Sequence, residues 1–294
     1  VSDTGTVTFS KAASTPNDPS IGVMNAVERL ADELGINSET LLSKTESIVH
    51  GTTVATNALL ERKGAKTGLL TTLGHRDVLE MREGLKDDRY NMRLPAPAPL
   101  VPRFLRLGVR ERIKPDGRIH TKLDNTSLDE AINKLREEKV TSVAVCYLHA
   151  YKEPKHEQET KKILEAKLPG VSVSISSEVF PEIKEYERVS TTIVNAYVRP
   201  IVENYLNRLE ERLKNAGYKG SVLIILSHGG VAPIEEAIRL SAATVLSGPA
   251  GGVAGSKYGA SLIGAGDLVP FDMGGTSTDI SMTVSYTHLR AHET

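Results

Sequence analysis

The chain holds 294 residues, with 36 Lys and Arg against 37 Asp and Glu for a formal net charge of −1, and is 39% hydrophobic. That balance carries no electrostatic footprint for nucleic acid, no apolar run is long enough to cross a bilayer, and no secretory leader is visible, so neither nucleic acid nor membrane is expected as a partner. The length predicts one large domain or two ordinary ones, and with no Trp and 4 Phe the core must be aliphatic.

In chain order, "TVTFSKA" (6–12) alternates as a strand does. "PSIGVMNAVERLADELG" places apolar residues at helical spacing and stops at Gly35, a suitable C-cap. "SIVHGTTVATNALLERKG" reads as a short strand, a Gly-Thr-Thr turn and a helix closed by Gly64. "KTGLLTT" is a strand and "HRDVLEMREG" a helical turn or two. "LPAPAPLVPR" cannot form regular structure, because each proline lacks a ladder donor; it is a surface loop or an arm that docks a partner. "RLGVRERIKPDGRIHTKL" predicts a hairpin turning at Pro115-Asp116-Gly117, and "SLDEAINKLREEK" an amphipathic helix capped by Ser127, with Asp129 and Glu130 near its positive end.

"VTSVAVCYLHA" is an almost continuous apolar run, the mark of a strand buried on both faces. It contains the single cysteine, Cys146, which reads as a small buried hydrophobe; a chain that cannot form an intrachain disulfide is expected in a reducing, cytoplasmic compartment. Helix "PKHEQETKKILEAKL" and strand "VSVSISS" complete a β–α–β alternation and argue for α/β architecture. "HEQET" lacks the second histidine of a zinc helix, so no structural zinc is predicted. From about 190 to 215 apolar residues recur at three- and four-residue steps, and Pro200 is expected to kink or split that helix. Strand "SVLIILS", loop "HGGVAP", a short helix, loop "SGPAGGVAG", a helix to about 263 and strand "DLVPFDM" follow. A boundary is placed near 185, dividing the chain into 1–185, 186–284 and a terminal 285–294.

The stretch "VPFDMGGTSTDISM" (269–282) runs strand, Gly-Gly turn, strand. It is no P-loop, because its glycines do not lead into a helix and no Gly-Lys-Ser/Thr follows. Phosphate chemistry still fits. Gly274 and Gly275 let backbone N–H groups approach an anion, and Thr276, Ser277 and Thr278 offer hydroxyl donors. Asp272 can hold Mg2+ through water, since that ion favours oxygen ligands and keeps much of its hydration. A plain β-hairpin is the competing reading. "HGTT" and "SGPAGG" each stand before a helix, where backbone N–H groups could take an anion or simply be capped.

The run Asp272-Met-Gly-Gly-Thr-Ser-Thr-Asp279 resembles the phosphate loop of the actin/Hsp70/sugar-kinase ATPases, in the variant of the hydantoinase/oxoprolinase family. "HGTTVATNALLERKGAKTGLLTTLGHRDVLEMRE", "YERVSTTIVNAYVRP", "SHGGVAPIEEA" and "LSGPAGGVAG" resemble that family in the family's order, over roughly residues 4–284. The resemblance implies an α/β chain that is part of an actin-like (ribonuclease H-like) ATPase fold, with mixed sheets flanked by helices. It implies ATP and Mg2+ as cofactors. Asp272, Gly274, Gly275, Thr276 and Asp279 match its second phosphate loop, Asp272 being the metal ligand. His50, Gly51, Thr52, Thr53 and Asn57 match a motif lining the catalytic cleft, and Gly248, Gly251 and Gly252 a glycine-rich turn near nucleotide or substrate. Asp272, His50, Thr52 and Thr53 are thereby the catalytic candidates.

The family pattern also has an earlier phosphate loop and a long continuation, so the chain is expected to be truncated at both ends, to bind ATP weakly alone, and to finish in a non-native "SYTHLRAHET". The activity implied is an ATP-dependent hydrolase subunit that opens a lactam or cyclic imide of 5-oxoproline or hydantoin type through a phosphorylated intermediate. A ketone carboxylase subunit of acetone or acetophenone type and a non-catalytic actin-like nucleotide-binding protein are the alternatives. The implied partners are a small cyclic amide or ketone substrate and a HyuB-type partner subunit.

Overall fold

The computed structural model describes residues 1–84, 88, 90–94, 97–273 and 278–283. Its strands are β1 (Ser47–His50), β2 (Thr67–Thr72), β3 (Arg106–Val109), β4 (Arg112–Ile113), β5 (Ile119–Thr121), β6 (Ser142–Cys146), β7 (Ser172–Ile175), β8 (Ser221–Ile225), β9 (Val231–Pro233), β10 (Phe271–Met273) and β11 (Thr278–Ile280). The chain folds into two compact units, one formed by Val1–Thr56, Val202–Ile238 and Ala243–Thr294, the other by Asn57–Ile201 and Arg239–Ala242.

The unit centred on Asn57–Ile201 is built on a four-stranded, all-parallel sheet in the order β3-β2-β6-β7. Every residue of β2 and of β6 is buried, as the almost continuous apolar run at β6 predicts for a strand covered on both faces; β2 is equally covered although Thr67, Gly68, Thr71 and Thr72 interrupt its apolar residues. Leu69, Leu70, Val143, Val145, Leu128, Ile132 and Leu164 form its aliphatic core, each side chain contributing about 1.5–3 kcal/mol on burial. The expected hairpin at Pro115-Asp116-Gly117 is present as β4 against β5, but Arg106–Val109 pairs in parallel with β2 instead of lengthening it.

The Asn125–Glu137 helix begins earlier than its apolar pattern. Asp124, not Ser127, is the N-cap, and it accepts from the Ser127 amide at 2.8 Å. Its carboxylate can reach an orphan N–H two or three residues on, which a serine inside the first turn cannot do. The helix that starts at Val54 ends at Leu60 with Arg62 left-handed at φ 55°, so Gly64 does not close it. Gly64 is instead required by packing: a Cβ there would stand 2.0 Å from the Tyr197 ring.

The Glu185–Asn215 helix runs unbroken through Pro200, and the expected split does not occur. Proline removes one backbone bond at a cost of about 3 kcal/mol. Burial of Ile193, Ala196 and Val198 before it, and of Val202, Leu206 and Leu209 after it, outweighs that loss.

In the other unit β8 is central, parallel to β1 and antiparallel to β9. Residues 231–233 of the expected "HGGVAP" loop are therefore strand. The Pro19–Glu33 helix follows its pattern: Asp18 caps it, and Gly35 at φ 69° turns the chain out. Residues 6–12 form no strand, because alternation supplies only a side-chain pattern and no described strand pairs with this backbone; Val7 and Phe9 stay exposed. "SGPAGG" is not a loop. It forms the first turns of the Ser247–Leu262 helix, where Pro249 is tolerated because the first N–H groups of a helix have no partner within it. β10 and β11 make an antiparallel hairpin, as the strand–turn–strand reading requires. Among the described residues no helix is long and apolar enough to cross a membrane.

Candidate functional site

Two of the motifs singled out in the sequence meet in one unit. β1 delivers His50 at its carboxyl end, and Gly51, Thr52 and Thr53 lead into the Val54–Leu60 helix. Ser247, at the start of the Ser247–Leu262 helix, donates its hydroxyl to the Thr52 carbonyl at 2.9 Å, and the Leu246 amide donates to the Thr56 hydroxyl at 2.9 Å. Leu246 stands left-handed at φ 61°, which turns the chain sharply into the helix.

The glycines allow this approach. A Cβ on Gly248 would lie 3.2 Å from the Thr53 methyl, and one on Gly251 3.1 Å from the Ile225 Cδ1. Gly252 faces open space. Gly51 and Thr53 are exposed and Thr52 is buried. Two helix starts and a strand end are thus gathered around small side chains, with the Val54 amide donating to the Thr52 hydroxyl at 3.2 Å.

His50 is held by a residue that sequence reasoning missed. Its Nε2 lies 2.7 Å from the Tyr205 hydroxyl, and the rings stack tilted at 5.8 Å. Burial lowers the imidazole pKa to about 4 and raises the Tyr205 phenol to about 12, so both are neutral near pH 7. Tyr205 sits on the long helix at an apolar position of its repeat, and no local spacing links it to His50.

The second site element is the β10–β11 hairpin. Its register sets Asp272 directly opposite Asp279 and Met273 opposite Thr278. Side chains alternate across a strand, so the two aspartates share one face while Thr278 lies on the other with Met273. Like charges directly opposite disfavour a hairpin by a few tenths to about 1 kcal/mol. Asp272 is exposed and Asp279 half-buried, so a hard cation can be received between them. The donor set fits Mg2+, which takes oxygen ligands, commonly one or two carboxylates, and keeps several waters. Gly274, Gly275, Thr276 and Ser277, between the two strands in sequence, lie outside the described residues.

The remaining candidates stay structural. His228 sits in the β8–β9 turn, its Nδ1 accepting from the Gly230 amide at 3.2 Å. Cys146 is buried and its thiol is pushed up to about 11, chiefly by desolvation, which suits an inert core residue.

Comparison with known proteins matches residues 1–168 to the hydantoinase/oxoprolinase N-terminal region and residues 188–294 to hydantoinase/oxoprolinase. The chain is 38% identical to the caprolactamase subunit alpha of Pseudomonas jessenii over 95% of its own length and 40% of that protein's. The crystal structure of the ATP-dependent caprolactamase from that organism superposes with a TM-score of 0.84 at 37% identity, covering 96% of this chain and 41% of that one. The acetophenone carboxylase gamma subunit of Aromatoleum aromaticum is 35% identical over 94% of this chain and 39% of its own. The nucleotide-free acetone carboxylase structure matches with a TM-score of 0.86 at 27% identity, covering 94% of this chain and 40% of that one. The architecture is therefore that of the actin-like ATPases. The chain spans about two fifths of the length of these relatives.

Proposed function

This chain belongs to the hydantoinase/oxoprolinase family, and from that premise we propose that it forms part of an ATP-dependent hydrolase subunit that opens a lactam or cyclic imide. The observation that carries the reading is the Asp272–Asp279 pair, two carboxylates fixed on one face by strand register on either side of a Gly-Gly-Thr-Ser turn. ATP, a cyclic amide of 5-oxoproline or hydantoin type, and a HyuB-type partner subunit are the components it requires. The lone, inert Cys146 fits a cytoplasmic setting.

In this reading the turn between β10 and β11 binds the terminal phosphates of ATP through backbone N–H and hydroxyl donors. Asp272 would hold Mg2+ through water, and the ion, when bound, would neutralise charge at the transferring phosphoryl group. The ring amide oxygen takes that phosphoryl group and ADP is released; one water adds to the activated carbon and the C–N bond breaks to leave an acyl phosphate, which a second water hydrolyses to the carboxylate and inorganic phosphate. The chain's own contribution is positional and electrostatic, which is where phosphoryl-transfer enzymes obtain most of their rate. His50, neutral near pH 7 and oriented by Tyr205, is the group able to take a proton from attacking water, with Thr52 and Thr53 beside it. Gly248, Gly251 and Gly252 leave room for nucleotide or substrate.

The similarity to two ketone carboxylase subunits favours a second reading, in which the phosphorylated species is an enol and a carbon nucleophile is carboxylated. Phosphate release by the full-length subunit of which this chain forms part, assembled with its partner subunit, separates the two. Release driven by 5-oxoproline, hydantoin or caprolactam supports the hydrolase. Release driven only by acetone or acetophenone with bicarbonate supports the carboxylase, and release with none of them contradicts both.

A further inference from the structure

The parallel sheet of the Asn57–Ile201 unit gathers chemistry that the phosphoryl-transfer reading does not use. The chain enters at β2, adds β3 on one side, then crosses back to add β6 on the other. Loops leaving β2 and β6 diverge at such a reversal, and open α/β sheets take their ligands in the crevice beyond the carboxyl ends of strands there. Here each of the three strands carries a basic side chain at the same place. His75, Arg112 and His149 are each the third residue beyond the end of their strand, at Thr72, Val109 and Cys146.

These groups are arranged rather than merely near. Arg112 Nη1 lies 3.0 Å from His75 Nε2. A guanidinium only donates, so Nε2 accepts and the His75 proton is on Nδ1. Among the described residues Arg112 has no ion-pair partner, although it is only half exposed. His149 stands left-handed at φ 57°, a conformation costing a non-glycine residue on the order of 1–3 kcal/mol and kept only where the surroundings impose it. Its Nδ1 lies 3.3 Å from the Tyr151 hydroxyl, and Arg188 in turn covers the Tyr151 ring at 5.2 Å. The charges of Arg112, Glu185 and Glu111 act on both imidazoles, and desolvation, the largest cause, lowers both below the ordinary histidine range. Each imidazole is thus neutral near pH 7 and retains an N–H. Glu111 is committed elsewhere, to His156 at 2.8 Å and to Thr72.

We propose that Arg112, His75 and His149 form a binding site for a small oxyanion, a carboxylate or a phosphate, with Arg112 supplying the charge and the imidazoles the flanking donors. This site lies outside the phosphate-loop motif and does not depend on the function proposed above.

The test is a histidine side-chain 15N NMR titration of the whole chain with acetate, with inorganic phosphate and with bicarbonate at constant ionic strength. Saturable shifts of His75 and His149, with His228 unmoved, are expected, and Arg112→Gln should weaken the response at least about tenfold, the scale of losing a charged donor. The anion that saturates at the lowest concentration identifies the source as an organic acid, a phosphorylated molecule or bicarbonate. His149→Gly is the second variant. It removes the imidazole while accepting φ 57°, so it should fold at least as well as the parent and still bind more weakly. Shifts that never saturate, that appear equally at His228, or that persist unchanged in both variants would overturn the proposal.

Discussion

Asp272 and His50 make opposite demands on their surroundings. Asp272 is exposed and faces another carboxylate across the hairpin, so it is stabilised by a cation. Asp272→Asn therefore should stabilise the free chain slightly, by a few tenths of a kcal/mol, while abolishing any Mg2+-dependent rise in melting temperature; thermal melts with and without Mg2+ check both signs. His50 is half-buried and neutral near pH 7. Its folded pKa of about 4 lies below the unfolded value of 6.5, so the unfolded chain binds the proton more readily. The stability it contributes is complete above pH 6.5 and is lost as pH falls towards 4, to the extent of about 1–3 kcal/mol. Urea denaturation at pH 7 and at pH 4.5 should show that loss, and His50→Gln should flatten it. At Gly64 a methyl group would meet the Tyr197 ring at 2.0 Å, and Gly64→Ala should cost about 1–3 kcal/mol by overpacking, read as a lowered urea midpoint.

At the scale of elements, how much could be read from sequence followed from what each element depends on. β6 was legible because a strand buried on both faces is largely apolar, whatever its neighbours, whereas the burial of β2, with Thr67, Thr71 and Thr72 among its six residues, is not announced by its composition. The Pro19–Glu33 helix was legible because its cap, periodicity and terminal glycine are all local. Residues 6–12 were misread because a strand exists only through a partner, and alternation does not name one. "SGPAGG" was misread because glycine and proline weigh towards a loop, whereas proline in a first helical turn removes no helical bond. Pro200 was expected to break a helix that burial on both sides holds together. Pro200→Ala should restore the missing backbone bond and raise stability by about 1–3 kcal/mol, seen as a higher urea midpoint with an unchanged slope. An unaltered midpoint would mean that the helix bends locally and that its carbonyl is already satisfied.

On the scale of the whole chain, the sequence motifs resolve into distinct structural roles. The 50–53 and 247–252 motifs meet through Ser247 and Thr52, which no spacing in the sequence announces. The His50–Tyr205 pair likewise joins residues far apart in the chain, brought together because β1 and the part of the long helix from Val202 onward belong to one unit. The 272–279 motif resembles a phosphate loop in sequence, and the division of its faces comes from strand register: two carboxylates on one side, Thr278 on the other. The central claim is that this hairpin serves ATP-driven ring opening. Its most direct test is phosphate release by the full-length subunit that contains this chain, assembled with the partner proposed for it, in the presence of ATP, Mg2+ and a lactam, compared with the Asp272→Asn variant in the same assembly. The account predicts one phosphate released per ring opened and a loss of at least about a hundredfold in the variant, the scale of removing one transition-state electrostatic contact, with assembly unimpaired. Equal turnover by parent and variant would contradict it.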